Sequence, residues 1–159
     1  VVSYTLVASE DQFILDAQEL VARKIATLPS PGLGALWLND IFPTPLRQPT
    51  IVEANNSVEA VEKVLEGQAA AAMIPTPLVR RYRSLVPVQT TRQVPSPGLS
   101  ISPEVGKESA ARIRDALLSA DSEPRGRAML EALRIPGFDA ADAGTYAGQA
   151  DTLEGLWDY

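Results

Sequence analysis

Short apolar runs and helically spaced apolar positions take turns along this chain, and that alternation sets the expected fold. Ser3 to Ala8 is rich in β-formers, with Tyr4, Thr5 and Val7, and reads as an opening strand. Asp16 followed by Glu19 is a capping-box signature, and Ala17, Leu20 and Val21 predict a short helix ending near Lys24. Ile25 to Leu28 reads as a buried strand. Pro29-Ser30-Pro31-Gly32-Leu33-Gly34 must turn, after which Ala35, Leu36, Trp37, Leu38 and Ile41 predict a helix stopped by Pro43. Thr50 to Ala54 is the next strand. Ser57 is the expected N-cap of a helix whose apolar face is Ala60, Val61, Val64 and Leu65, with Gly67 as its stop.

Ala69 to Ile74 lacks alternation, as a strand covered on both faces does, and Thr76-Pro77 then opens a new helical turn. Strands are expected over Leu85 to Thr90 and Gly98 to Ser102, and helices over Gly106 to Ala120 and from Ser122 to Leu133. Asp151 and Glu154 repeat the capping-box pattern before Leu153, Leu156 and Trp157, which predicts a last helix. Strands alternating with helices in this order imply a mostly parallel α/β sheet with helices on its faces. That lobe spans residues 1–105, and residues 106–159 supply C-terminal helices packing on it within one structural domain.

Composition narrows the chemistry. At 159 residues and 45% hydrophobic content the chain suits one globular domain. No apolar run approaches the roughly 18 residues of a membrane-spanning helix, and Val1 to Ser9 shows no secretory signal. Cysteine and histidine are both absent, which excludes disulfides, thiolate chemistry, histidine triads and most zinc sites, so neither metal nor cofactor is expected. A net charge of -6 disfavours nucleic acid as a partner. No serine lies in a G-x-S-x-G or S-x-x-K context, no P-loop is present, and Trp37 stands where G-x-G-x-x-G needs its third glycine. A non-catalytic protein is expected.

The remaining candidates lie at strand-to-helix junctions, which in an open α/β sheet form the ligand-facing edge. Gly32 and Gly34 permit close backbone approach to an anion or simply make the turn. Thr76 reaches a ligand or caps its own helix. Asn55, Asn56 and Ser57 offer polar contacts or a solvated loop. Trp37, set among Leu36, Leu38 and Ile41, reads as core more readily than as a cleft wall, and Arg80, Arg81 and Arg83 around Tyr82 read as solvated surface.

Specific segments also resemble a known family. "SYTLVASED", "DAQELVARKIATLPSPGLGALWL", "SVEAVEKVLEGQAAAAMIP" and "PSPGLSISPEVGKESAARIRDALLSADSEPRGRAMLEAL", with Phe138 and Tyr146 trailing, are similar to the second lobe of phosphonate-type solute-binding proteins of ABC importers. The resemblance covers nearly the whole chain. It implies a three-layer αβα lobe of the type II periplasmic fold, mostly parallel with one antiparallel strand, working outside the cytoplasm. It also implies a small anionic solute, phosphonate-like or an organic acid, held against a second lobe that engages a membrane transporter or sensor. The family's anion cradle maps onto Ser30, Gly32 and Gly34, with Ser57 and Thr76 at the neighbouring junctions. The turn departs from the family where Pro31 brings no N–H and Leu33 no hydroxyl, and the family's histidine and acid fall on Ser57 and within Ala70 to Ala72. The alternative is a lobe that keeps the fold without the solute and acts as a protein-interaction or sensory module.

Overall fold

A computed structural model describes residues 1–30, 32–133, 135–149 and 151. Its described residues fall into two compact units, the first holding Val1–Ser96 with Gln149 and Asp151, the second Pro97–Gly148. The first is built on five strands, β1 (Tyr4–Ser9), β2 (Lys24–Thr27), β3 (Thr50–Glu53), β4 (Ala71–Pro75) and β5 (Leu85–Thr90), in the sheet order β3-β2-β4-β1-β5. β2 pairs in parallel with β3 and β4, while β1 runs antiparallel to both β4 and β5. Four strands therefore point one way and β1 alone points back, the expected pattern.

Helices cover both faces. Because strand side chains alternate, Leu6, Ala8, Ile25, Ala71 and Met73 face one way and pack with Trp37 and Leu38 of α1 (Leu33–Ile41) and with Phe42 just after it. Val7, Ala26, Ala72 and Ile74 face the other way, onto Ala60, Val61 and Val64 of α2 (Ser57–Leu65), with Leu78 of α3 (Thr76–Val79) beside them. β4 is thus buried on both sides, which explains its unalternating sequence. Gly67 follows α2 with φ +71; its own N–H donates to Val64 O, and those of Gln68 and Ala69 donate to Lys63 O, as a helix stop requires.

Three expectations change. The helix expected from Asp16 to Lys24 shrinks to a 3-10 turn over Ala17–Leu20; its capping box is present, but Ala22 takes φ +61, which no helix continues through. Asn56, not Ser57, caps α2: its extended backbone lets Oδ1 accept from Val58 and Glu59 N–H, and Ser57 becomes the first helical residue. Gly98 to Ser102 forms no strand, since Pro97 and Pro103 lack ladder donors and the segment lies exposed. The second unit holds α4 (Lys107–Leu118) and α5 (Pro124–Leu133), the latter starting at a proline rather than at Ser122. The helix expected over Leu153 to Trp157 lies outside the described residues.

Candidate functional site

Strand directions decide which loops meet. β2, β3, β4 and β5 deliver their C-terminal ends to one edge of the sheet, and the antiparallel β1 brings its first residues to that same edge. The exits of β2 (Ser30, Gly32), β3 (Asn55, Asn56), β4 (Thr76) and β5 (Thr90 to Arg92) are therefore neighbours of Ser3. All five residues expected from the sequence, Ser30, Gly32, Gly34, Ser57 and Thr76, stand on this edge.

Their surroundings differ. The first turn of α2 is satisfied from within: Asn56 caps it, and the Glu59 carboxylate accepts the backbone N–H of Asn55 at 2.9 Å and its side-chain amide at 2.7 Å. Those two bonds, together with Lys63 at 3.2 Å, hold the Glu59 carboxyl below its ordinary value of 4.5. Because the folded value is depressed, this stabilisation exists above the unfolded carboxylate range and is lost as pH falls through the lowered value. The melting-temperature gap between the parent chain and Glu59→Gln should accordingly be widest near neutral pH and close on acidification; a pH-independent gap would contradict the assignment. Ser57, the first helical residue of α2, is half-buried beside this arrangement.

The nine-residue α1 is different: Gly32 occupies its N-cap and no side chain caps it. Gly32 N–H donates to Pro29 O at 3.1 Å, closing the turn, and a Cβ on Gly32 would stand 3.0 Å from that oxygen. Gly34 in the first turn lies against the sheet, where its missing Cβ would come within 2.6 Å of Thr27 Oγ1. Thr27 is fully buried at the end of β2, and its hydroxyl has no hydrogen-bond partner. An orphaned hydroxyl under an uncapped positive helix end is a place where an acceptor would be favoured. Ser30 instead lines a groove of about 320 Å³ along the flank of α1, with Leu38, Phe42, Ile51 and Glu53 among its walls.

Thr76 neither caps α3 nor stands alone. Ser3 Oγ donates to Thr76 Oγ1 at 2.8 Å, Thr76 and Thr5 hydroxyls are 2.9 Å apart, and Thr5 and Thr90 hydroxyls 3.0 Å apart. Four hydroxyl hydrogens thus serve three bonds, which leaves one to donate outward. Thr5 is buried, so that hydrogen belongs to Thr76 or to the exposed Thr90. Nearby, the Arg92 guanidinium lies over the Trp37 ring, 5.2 Å from its centroid, while Trp37 itself is core. Burial pushes the phenol of Tyr4, at the start of β1, above its ordinary value and keeps it neutral.

Sequence reading missed Ser3, Thr5, Thr27, Thr90 and Arg92. The signal was present in the strand directions, because an antiparallel first strand brings its opening residues, and a parallel last strand its exit, to the ligand edge. Arg80, Arg81 and Arg83 are exposed in the turn before β5, at the opposite edge. Among the described residues no group of three or more acidic side chains could hold a metal ion, and no helix is long and apolar enough to cross a membrane.

The family model described as "ABC transporter, phosphonate, periplasmic substrate-binding protein" matches residues 3–146. No curated protein matches the sequence. Solved structures do. XAC2383 from Xanthomonas citri, bound to chloride ion, aligns with TM-score 0.72 at 13% identity over 95% of this chain and 63% of that one. The binding protein component of an ABC phosphonate transporter from Pseudomonas aeruginosa aligns at 0.69 and 16% identity, over 95% and 56%. An ancestral arginine-binding protein bound to arginine aligns at 0.59 and 12% identity, over 82% and 59%. These likenesses establish a type II periplasmic-binding-protein fold, and the chain spans about three fifths of the lengths of the first two structures.

Proposed function

This chain belongs to the phosphonate periplasmic substrate-binding family of ABC transporters, and from that premise we propose that it binds a small anionic solute at the C-terminal edge of its sheet. The family is one of substrate-binding proteins and implies an extracytoplasmic location, with delivery to an ABC transporter. The observation that supports the site most is the uncapped N-terminus of α1 over the partnerless Thr27 hydroxyl. Gly32 and Gly34 give an anion access to main-chain N–H groups, and Thr76 supplies a hydroxyl whose row has one hydrogen to spare. Ser30 contributes from the flank. Every one of these groups donates, which suits a ligand that only accepts. A second lobe closing on this edge would complete the coordination, exclude water and signal to the transporter or sensor.

A solute-free interaction or sensory lobe is the competing reading, favoured by the donors that Pro31 and Leu33 lack. Thermal denaturation with phosphate, methylphosphonate, sulfate and succinate separates the two. A ligand at one hundred times its Kd stabilises by about 2.7 kcal/mol, which raises Tm by roughly 5 °C or more for a chain of this size. A saturable rise for one of these anions is the expected result. Flat melting curves across all four, with a folded protein, would favour the interaction module.

A further inference from the structure

We propose that this chain pairs with a second copy of itself through the sheet edge opposite the solute site, the acidic, apolar loop of each copy meeting the arginine turn of the other.

Two neighbouring segments at that edge carry opposite charge. β1 leaves the sheet into Glu10-Asp11-Gln12-Phe13-Ile14-Leu15-Asp16, and β5 enters it from Arg80-Arg81-Tyr82-Arg83-Ser84. The strands run side by side with Ser9 opposite Leu85, and Glu10 N–H donates to Ser84 O at 3.0 Å. Residues 10–19 hold four carboxylates and no cation, while residues 80–83 hold three guanidiniums and no acid. The side chains of Glu10, Asp11, Arg80, Arg81 and Arg83 are exposed, and among the described residues none of them has an ion-pair or hydrogen-bond partner. Their charges are available to a partner.

The loop also holds apolar groups in water. Phe13 is 81% exposed and Leu15 80%, on either side of Ile14, which is buried in the core. Phe13 takes φ 51, a left-handed backbone that a bulky side chain rarely adopts. Its posture is fixed from both sides. Phe13 N–H closes a turn onto Glu10 O at 3.4 Å, Arg23 Nη2 donates to Gln12 Oε1 at 2.7 Å, and the capping box of Asp16 and Glu19 follows. Strain that presents an aromatic ring to solvent gains the fold nothing, but at an interface the same ring is a rigid anchor. The arginine turn is equally firm: Arg81 and Tyr82 N–H donate to the carbonyls of Leu78 and Val79, and Tyr82 packs against the core beneath α2.

The occupant follows from the charge pattern. At a net charge of -6 two copies repel, so they associate only where opposite charges can face each other. This edge is complementary to itself. A two-fold axis sets the acids of each copy against the arginines of the other and makes that contact twice, as an isologous interface requires. The edge where α1 begins stays open to solute, so the pairing stands or falls independently of solute binding.

The test is sedimentation velocity of the full chain from about 10 µM to about 1 mM, at low salt and at about 0.5 M salt. The parent should dimerise with a Kd on the order of 100 µM at low salt, as a small interface gives, and about 10-fold more weakly at high salt. Phe13→Ser should weaken the dimer about 10-fold or more. Glu10→Lys with Asp11→Lys, and separately Arg80→Glu with Arg81→Glu, should each abolish self-association. An equimolar mixture of those two variants should dimerise again, because each reversed segment then meets its complement. Every substituted position is exposed, and melting of each variant checks that it folds. A parent that stays monomeric to the highest concentration, a dimer indifferent to both charge reversals, or a mixture that remains monomeric overturns the proposal.

Discussion

Gly34→Val should destabilise the first unit by about 3 kcal/mol, at the upper end of the cost of overfilling a packed core. A Cβ at residue 34 would lie 2.6 Å from Thr27 Oγ1 and 3.4 Å from the Met73 side chain, both of which are fully buried. Thr27 is β-branched and held in a strand paired on both sides, so it has little freedom to turn away. The clash therefore displaces α1 from the sheet and with it the helix end that forms the site. The partner substitution makes the cause identifiable. Thr27→Ala removes the obstructing atom together with a buried hydroxyl that has no partner, so alone it should cost little. Combined with Gly34→Ala it should leave a helix that gains about 1 kcal/mol in propensity from the lost glycine. Urea denaturation of the parent, Gly34→Ala, Thr27→Ala and the double variant measures the coupling. Additive effects would mean that Thr27 and Gly34 are not in contact, and the packing described for the first turn of α1 would be wrong.

Gly126→Ala should cost the second unit about 2–3 kcal/mol, despite the gain in helix propensity that alanine brings. The added Cβ would overlap the carbonyl oxygen, carbon and Cα of Ala120, and backbone atoms cannot swing aside as a side-chain tip can. Ala120 belongs to the 3-10 turn between α4 and α5 and is, with Leu130, one of two buried hydrophobic residues among the described residues of that unit. Losing that corner separates the two helices. Hydrogen exchange should show faster exchange throughout α4 and α5 with the sheet strands unchanged, and unchanged protection in both helices would contradict the close approach.

The layered architecture was legible because burial writes itself into spacing. β4 reads Ala71-Ala72-Met73-Ile74 with no alternation since helices cover both its faces, and α2 repeats its apolar residues on one side because only one side is covered. Helix ends were harder to place. Asn56 and Ser57 are both good caps, and the choice between them depends on Glu59 reaching back to Asn55, a contact between side chain and backbone that spacing alone does not reveal. Ala22 stopped a helix by adopting a left-handed backbone, for which an alanine gives no warning.

The site was legible one element at a time and not as a whole. Ser30, Gly32, Gly34, Ser57 and Thr76 were visible because each sits at a strand-to-helix junction. Thr5 and Thr90 were invisible because they belong to strands and Ser3 because it immediately precedes one, and they meet only when β1 lies between β4 and β5. Arg92 lies 55 positions after the Trp37 ring that holds it, a pairing created by the fold rather than by any local motif.

The most direct measurement is an NMR titration of the isotopically labelled chain with succinate, read at the backbone amides. Saturable shifts should concentrate at Gly32 to Leu36, Thr76 and Thr90 to Arg92, with the turn from Arg80 to Ser84 unmoved. Shifts confined to that turn, or scattered without saturation, would show that the anion does not recognise the edge where α1 begins.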